Sequence, residues 1–349
     1  MLSYKKFKDI DIDNIFFDSL KLDYKEFEDW FVKKSDKFAL VHSTVPGTID
    51  GFLYLKIEDE AHEDIVPKLP KKQRIKLGTF KIDAHGTRLG ERFIKKSLDF
   101  AIHSNIDELY ITIFEKHAPL INLIQKYGFI SHGTKIGPNG IEQVFIKKLS
   151  RYSADILKNY PNVDCSKNKF VLSIYPQWHT RLFPDSILNN ENPQDIIQDV
   201  SHTNSIHKIY MCNMGGVEDL KRGDILCIYR TSDGGGPAHY RSVITTICTV
   251  EEISSIYAYK SEDEFIDKNV SYSVFDKTEL SNLYRTKRFP KIIKFLYNTS
   301  MVKKINRKHL IENLNILSNY WGFFQLTNDH FNAITNAGQI NERYFINKT

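Results

Sequence analysis

Extended-type and helical patterning alternate through the first 150 residues of the 349-residue chain. Lys37–Val45 and Gly51–Ile57 read as two strands about a Pro46-Gly47 turn. Asp59–Arg74 is polar and basic and reads as a connection, after which Ile75–Ile82 (IKLGTFKI) is again rich in strand-forming residues. Glu91–His103 places Phe93, Ile94, Leu98, Ala101 and Ile102 on one helical face and Lys95, Lys96 and Asp99 opposite. Glu108–Phe114 (ELYITIF) predicts a strand, and Gln143–Leu149 a closing one. Between them Ala118–Tyr127 predicts a helix, with Pro119 in its first turn and Gly128 at its end. This order, strand–helix–strand–helix–strand, makes residues 1–150 an α/β unit.

The pattern lapses over the polar stretch 151–168, which reads as a linker to a second domain, 169–349. Beyond it Phe170–Tyr175, Lys208–Cys212, Asp224–Arg230 and Tyr240–Glu251 predict strands, with Gly223 and the loop Ser232–Pro237 as turn devices. Helical patterns fall at Pro193–Val200, Lys277–Tyr284, Lys308–Asn319 and Asp329–Thr335. The second half is therefore expected to be α+β, with a small sheet or barrel.

A hydrophobic share of 41% supports two packed cores, and 26% charged residues with 13% aromatics exclude a disordered or collagen-like chain. Apolar runs such as Ile111–Phe114 stop far short of the ~20 residues a membrane span needs. The opening MLSYKKFKDIDID has no apolar core behind its lysines, so no secretory signal is read. The expectation is a soluble, cytoplasmic protein without a membrane partner. Cys165, Cys212, Cys227 and Cys248 form no CxxC or CxxH spacing, which predicts core thiols and no metal centre. Net charge is +5, shared almost evenly between the halves, a balance that permits a nucleic-acid partner without arguing for one.

Phe80–Ile94 (FKIDAHGTRLGERFI) carries the chemistry of the first half. A strand enters a glycine-containing turn and an amphipathic helix begins at once, an arrangement that collects unpaired backbone N–H groups where the helix dipole favours an anion. Gly86 and Gly90 would let backbone approach a pyrophosphate, and Arg88 would add a charged contact. Taken alone, the same segment is also what a turn with two glycines looks like.

With its surroundings, the region resembles motif A of the GNAT acyltransferase superfamily. His85, Gly86, Thr87, Arg88, Leu89 and Gly90 match the six loop positions, and Leu123–Phe129 (LIQKYGF) resembles the family's second hallmark. The resemblance covers roughly residues 1–150. It implies a mixed sheet with flanking helices, acetyl-CoA as cofactor, and binding by Lys81, Ile82, His85, Gly86, Thr87, Arg88, Leu89, Gly90, Glu91 and His117. Two positions depart from the pattern. Arg88 replaces a glycine, and Ile124 stands where a tyrosine usually protonates the leaving thiolate. Tyr127, nearly one turn on, either substitutes as the acid or packs against the sheet. His117 either contacts pantetheine or acts as an acid, or is a plain exposed histidine at a strand end. Thr79 and Lys81 alternate on the preceding strand, and whichever faces the thioester would orient it.

In the second half, Leu220–Asp224 (LKRGD) opens an apolar strand, and a later strand passes into Val250-Glu251. This resembles the PUA-like group, including ASCH and EVE modules, and implies a small β-barrel with a cleft for RNA or a modified base. Tyr229, Arg230, Thr231, His239, Tyr240 and Arg241 would then surround the cleft mouth, or be ordinary barrel and surface residues. Trp178, with His179, Arg181 and Phe183 in a two-proline segment, would either touch a ligand or plug two domains together. Tyr284–Lys294 interleaves basic and aromatic residues, as single-strand grooves and solvated faces both do. The combined expectation is an acetyl-CoA-dependent N-acyltransferase acting on an amine, with an RNA-linked acceptor such as aminoacyl-tRNA and a toxin-like role implied by family analogy. The rival expectation is a catalytically quiet CoA-binding scaffold carrying a nucleic-acid-binding module.

Overall fold

A computed structural model describes residues 2–83, 88–183, 186 and 206–348. The chain divides into two compact units, Met1–Asn159 and Tyr160–Thr349. Both are mixtures of helices with mixed sheets.

Unit 1 contains strands β1 (Leu2–Lys6), β2 (Phe38–His42), β3 (Gly51–His62), β4 (Ile65–Val66), β5 (Leu69–Ile82), β6 (Glu108–Ile113), β7 (Ile130–Gly137) and β8 (Gly140–Lys148). Helices α1 (Asp18–Asp23) and α2 (Phe27–Val32) precede β2, α3 (Leu89–His103) follows β5, and α4 (Ala118–Lys126) follows β6; a short α5 (Ile156–Asn159) ends the unit. The sheet order is β1-β2-β3-β5-β6-β8-β7-β4. Most ladders are antiparallel, whereas β5 and β6 run parallel.

Two faces of the sheet differ. Phe93, Ile94, Leu98, Ala101 and Ile102 of α3 are fully buried, as the helical period predicts, and α3 contacts β3, β5 and β6. On the other face Phe7, Phe17, Phe27, Phe31, Phe52 and Tyr54 form an aromatic core under α1 and α2. Farther along it, Ile65, Leu69, Tyr110, Val144 and Ile146 form a small separate cluster where the tip of the β3–β5 hairpin reaches back to pair with β7.

Asp59–Arg74 is not a loose connection. Its residues extend β3 and begin β5, and the cross-strand pairs Glu58–Arg74 and Glu60–Lys72 put opposite charges face to face. Strands β1 and β7 also lie outside the sequence expectation; the first is half-exposed and β7 begins immediately after the Gly128-Phe129 helix end. Segment 151–168 likewise carries structure, holding α5 and buried Tyr160, Val163 and Cys165.

Unit 2 contains β9 (Val163–Asp164), β10 (Lys169–Ile174), α6 (Pro176–Leu182), β11 (His207–Cys212), β12 (Ile225–Arg230), α7 (Ala238–Arg241), β13 (Val243–Ser255), α8 (Glu262–Asn269), α9 (Lys277–Thr286), β14 (Lys291–Asn306), α10 (Arg307–Glu312), β15 (Phe323–Leu326), α11 (Asn328–Ala337) and β16 (Phe345–Ile346). Six strands form one sheet in the order β11-β14-β13-β12-β10-β15, and β16 pairs with β9 apart from it. The sheet is open at β11 and β15, so the expected barrel is not closed among the described residues. Bulges along β13 bend it against β12 and β14 without joining the edges.

Several element boundaries also differ from the expectation. Trp178 lies on α6 rather than in a loop, because Pro176 takes a first-turn position where its missing N–H costs nothing. Tyr240 and Arg241 belong to α7, not to the strand, which starts at Val243. The helix expected over Lys308–Asn319 ends at Glu312. Pro193–Val200 lies outside the described residues. No described helix is long and apolar enough to cross a membrane.

Candidate active site

The site begins with a failure of pairing. Strands β5 and β6 are hydrogen-bond neighbours at Ile75–Leu109 and Lys76–Tyr110, and then diverge. Beyond that point β5 continues to Ile82, still paired on its far edge with β3, while β6 continues to Ile113, paired on its far edge with β8. The facing edges of 77–82 and 111–113 thus present main-chain donors and acceptors to the gap instead of to each other. At its apex β5 carries a bulge: Tyr54 pairs with Thr79 and Leu55 with Leu77, leaving Gly78 opposite no residue.

A polar network lies on the aromatic-core face of this apex. The Tyr110 hydroxyl donates to Glu58 Oε2 and lies 3.2 Å from His62 Nε2, and Lys56 Nζ reaches Glu58 Oε1 at 2.9 Å. Burial works to raise the Glu58 carboxyl, but the Tyr110 and Lys56 bonds outweigh it and hold the group below its ordinary value. Burial also pushes the Tyr110 hydroxyl far up, so it acts as a donor. Lys76, paired with Tyr110 at the last rung, has its ammonium lowered by burial, with Glu58 opposing the shift and Lys135 adding to it. Trp30, Lys34, Tyr54, Lys56, Glu58, Lys76 and Gly78 line a cavity of about 110 Å³ there. Donor atoms of Glu58, Glu60 and His62 fall within 4.8 Å of one another, but Lys56 already pairs with both carboxylates.

A second polar group lies at the far end of β6. Tyr24 donates to Glu142 Oε1 at 2.8 Å, Thr112 donates to the same oxygen at 3.0 Å, and the Tyr24 ring lies on Phe114. Lys116 and His117 both pair with Asp23, His117 Nε2 at 3.0 Å.

The sequence-predicted residues separate into three groups. His85, Gly86 and Thr87 lie outside the described residues. Lys81, Ile82, Arg88, Leu89, Gly90 and Glu91 do flank the junction of β5 and α3. Arg88 is the left-handed N-cap residue of α3 (φ 57°), supplies no side-chain cap, and pairs with Glu91 at 3.1 Å, which also meets Lys126 at 3.2 Å. Two roles change. Lys81 Nζ is tied to the Phe16 carbonyl and to Ser19 Oγ at 2.7 Å, joining β5 to α1. Gly90 makes room for a neighbouring helix, because a Cβ there would lie 2.6 Å from Leu123 Cδ2. The third group does not meet the gap. Tyr127 is completely buried, like Ile124, so it packs in the core and is not presented as an acid.

In unit 2 Tyr229 and Arg230 are buried at 2% exposure, within β12, and so are not at an open mouth. Arg241 is held by Asp233 through two bonds of 2.5 Å, and Trp178 packs on Phe275 and Arg181. Tyr240 is exposed, with Lys308 Nζ over its ring at 5.5 Å. Residues missed in the sequence complete this end: Trp321 lies against Tyr229 and beneath Arg307, 4.6 Å from the ring centroid. The Trp and its cation are 14 positions apart, which no local period reveals. Glu58 and Tyr110, 52 positions apart, escaped for the same reason.

No protein-family model and no curated protein matches the chain. Solved structures similar to parts of it include the NatC complex bound to Gag peptide and CoA, at 18% identity over 43% of this chain and 99% of that one, TM-score 0.30. A GNAT-family acetyltransferase from Streptococcus pneumoniae is 15% identical over 42% and 99%, TM-score 0.30. A variant of ZmASCH from Zymomonas mobilis is 10% identical over 48% and 94%, TM-score 0.30. At such scores the similarities carry no functional weight.

Proposed function

We propose that unit 1 is an acyl-CoA-dependent N-acyltransferase, acetyl-CoA being the donor, and that unit 2 is a PUA-like module recognising nucleic acid or a modified base. The observation that carries the first part is the divergence of β5 from β6 beyond Lys76–Tyr110, with the Gly78 bulge at its apex. An extended amide-bearing pantetheine arm fits between two open main-chain edges. The start of α3, where the Arg88 side chain makes no cap bond and Lys126 is close by, suits its diphosphate.

The bound donor supplies an activated acyl thioester. Main-chain N–H groups at the Gly78 bulge would polarise its carbonyl. Glu58, ionised and fixed by Tyr110, would draw in the acceptor ammonium and, through water, take its proton. Holding amine and thioester together would provide most of the rate. Cytoplasmic acceptors linked to RNA, including aminoacyl-tRNA, fit a chain that joins such a unit to a nucleic-acid module, as would a toxin-like role.

For unit 2 the supporting observation is the pairing of exposed or half-exposed rings with cations, Tyr240 with Lys308 and Trp321 with Arg307. A second reading, a CoA-binding scaffold without turnover, is favoured by Ile124 and Tyr127 both being sealed in the core.

The test of unit 1 is calorimetric titration with acetyl-CoA, followed by thiol release with a panel of amines. Saturable binding that Gly78→Val abolishes supports the donor site; no binding overturns it. Binding without thiol release selects the scaffold. For unit 2, fluorescence polarisation with single-stranded oligonucleotides across salt concentrations should show affinity falling steeply with salt. A flat response overturns that part.

A further inference from the structure

We infer that Lys76 is itself an acyl acceptor, so that unit 1 carries a self-acylation site at the apex of its strand gap. The inference rests on the proposed acyl-CoA site and names one nucleophile within it.

Lys76 occupies the last paired rung before the strands part and lines the same 110 Å³ cavity as Gly78, the bulged residue proposed to hold the acyl carbonyl. Trp30 and Tyr54 give the cavity wall its aromatic part. Most lysines of this unit are exposed or committed: Lys56 to Glu58, Lys72 to Glu108, Lys81 to Phe16 and Ser19, Lys95 to Asp99, Lys147 to two carbonyls. No hydrogen bond or ion pair among the described residues uses Lys76 Nζ, which lies 5.7 Å from the Tyr110 ring centroid. Its amine is half-buried, and the burial favours the neutral, nucleophilic form.

Groups facing it from the packed elements are Lys56 and Glu58 on β3, Tyr110 on β6, Lys135 on β7, Glu142 on β8 and Lys34 in the turn after α2. Two lysines repel an ammonium at this point, and an amide would end that repulsion. In the step, the Nζ lone pair attacks the thioester carbonyl carbon. A C–N bond forms and the C–S bond breaks, its electron pair leaving on sulfur. The proton lost from nitrogen passes through water to the thiolate, giving free CoA thiol and a neutral acyl-lysine. That product fills the cavity an external amine would enter, so the mark would also restrain transfer to other acceptors.

The experiment incubates the full-length chain with acetyl-CoA and reads each lysine by peptide mass spectrometry over time. Lys76 is expected to gain an acetyl group about tenfold faster than exposed Lys71, and Gly78→Val is expected to remove that advantage. Lys76→Arg should lose the mark while calorimetry still records acetyl-CoA binding. Acetyl-CoA binding with Lys76 labelled no faster than Lys71 overturns this inference and leaves the donor site standing. Labelling that survives Gly78→Val overturns the route through the gap, and absence of acetyl-CoA binding overturns both readings.

Discussion

The two sheets treat their parallel neighbours in opposite ways. In unit 1, β5 and β6 share two rungs and separate; in unit 2, the parallel pair β10 and β12 stays in register over six residues, Lys169–Ile174 against Ile225–Arg230. Next to it β13 and β14 run together over most of their lengths, with bulges absorbed along the way. Unit 2 uses its backbone in continuous pairing. Unit 1 withholds backbone from pairing and surrounds the opening with buried charge. A gap of this kind is tolerable because each strand keeps a partner on its other edge.

The largest expected effect probes the continuous sheet. Ile293 is fully buried in β14, and Ile293→Ala should cost about 3 kcal/mol in urea unfolding. A loss well under 1 kcal/mol would show that the ladder is less tightly packed than the contrast requires.

A pH scan comes next. His179 in α6 is held neutral, its value pushed down to about 3 by burial first and then by Arg230 and Lys304. As pH falls below the ordinary histidine value, the unfolded chain takes up a proton that the folded one refuses. Stability should therefore drop by up to about 1.4 kcal/mol per unit through this group. His179→Leu should flatten that slope; an unchanged slope breaks the assignment.

The gap side answers with the opposite kind of group. Glu58 sits below its ordinary value when folded, so its stabilisation is present above the unfolded carboxyl pKa and is lost as pH falls through the folded value. Glu58→Gln should cost about 1–2 kcal/mol at neutral pH, and the difference from the parent should close in acid. A difference that widens in acid contradicts the network. The smallest effect is expected from Arg307→Ala, about 1 kcal/mol through its place over Trp321. It should weaken oligonucleotide binding more than it weakens folding.

Much of the scaffold was legible because its signals are local. The period of α3, the Pro119 start and Gly128 end of α4, and the branched residues of β6 each act within a few positions. Asp59–Arg74 misled because its strands are largely charged and bury only scattered residues, Ile65, Leu69 and Arg74, too sparse to show an apolar alternation. Trp178 misled because proline suggests a loop unless it begins a helix. The gap itself left no mark in composition, since whether two strands pair is settled by what lies between and beyond them. The network fared likewise: Glu58, Lys76 and Tyr110 belong to three strands and meet only through register. Gly90 was legible as a glycine of the turn, but not its close approach to Leu123 on the next helix.

Lys147 has a practical consequence for anyone cutting the chain. Its ammonium is sunk in the interior, lowered to about 7 by burial, and donates to the Tyr127 carbonyl at 2.7 Å and to that of Lys158 at 3.0 Å. Gly128 abuts the same Lys158 carbonyl, close enough that any side chain there would collide with it. An expression fragment ending at 150 would strip away that acceptor and uncover the lysine, whereas one ending at 159 keeps the clasp. The shorter fragment should be the one that fails to purify.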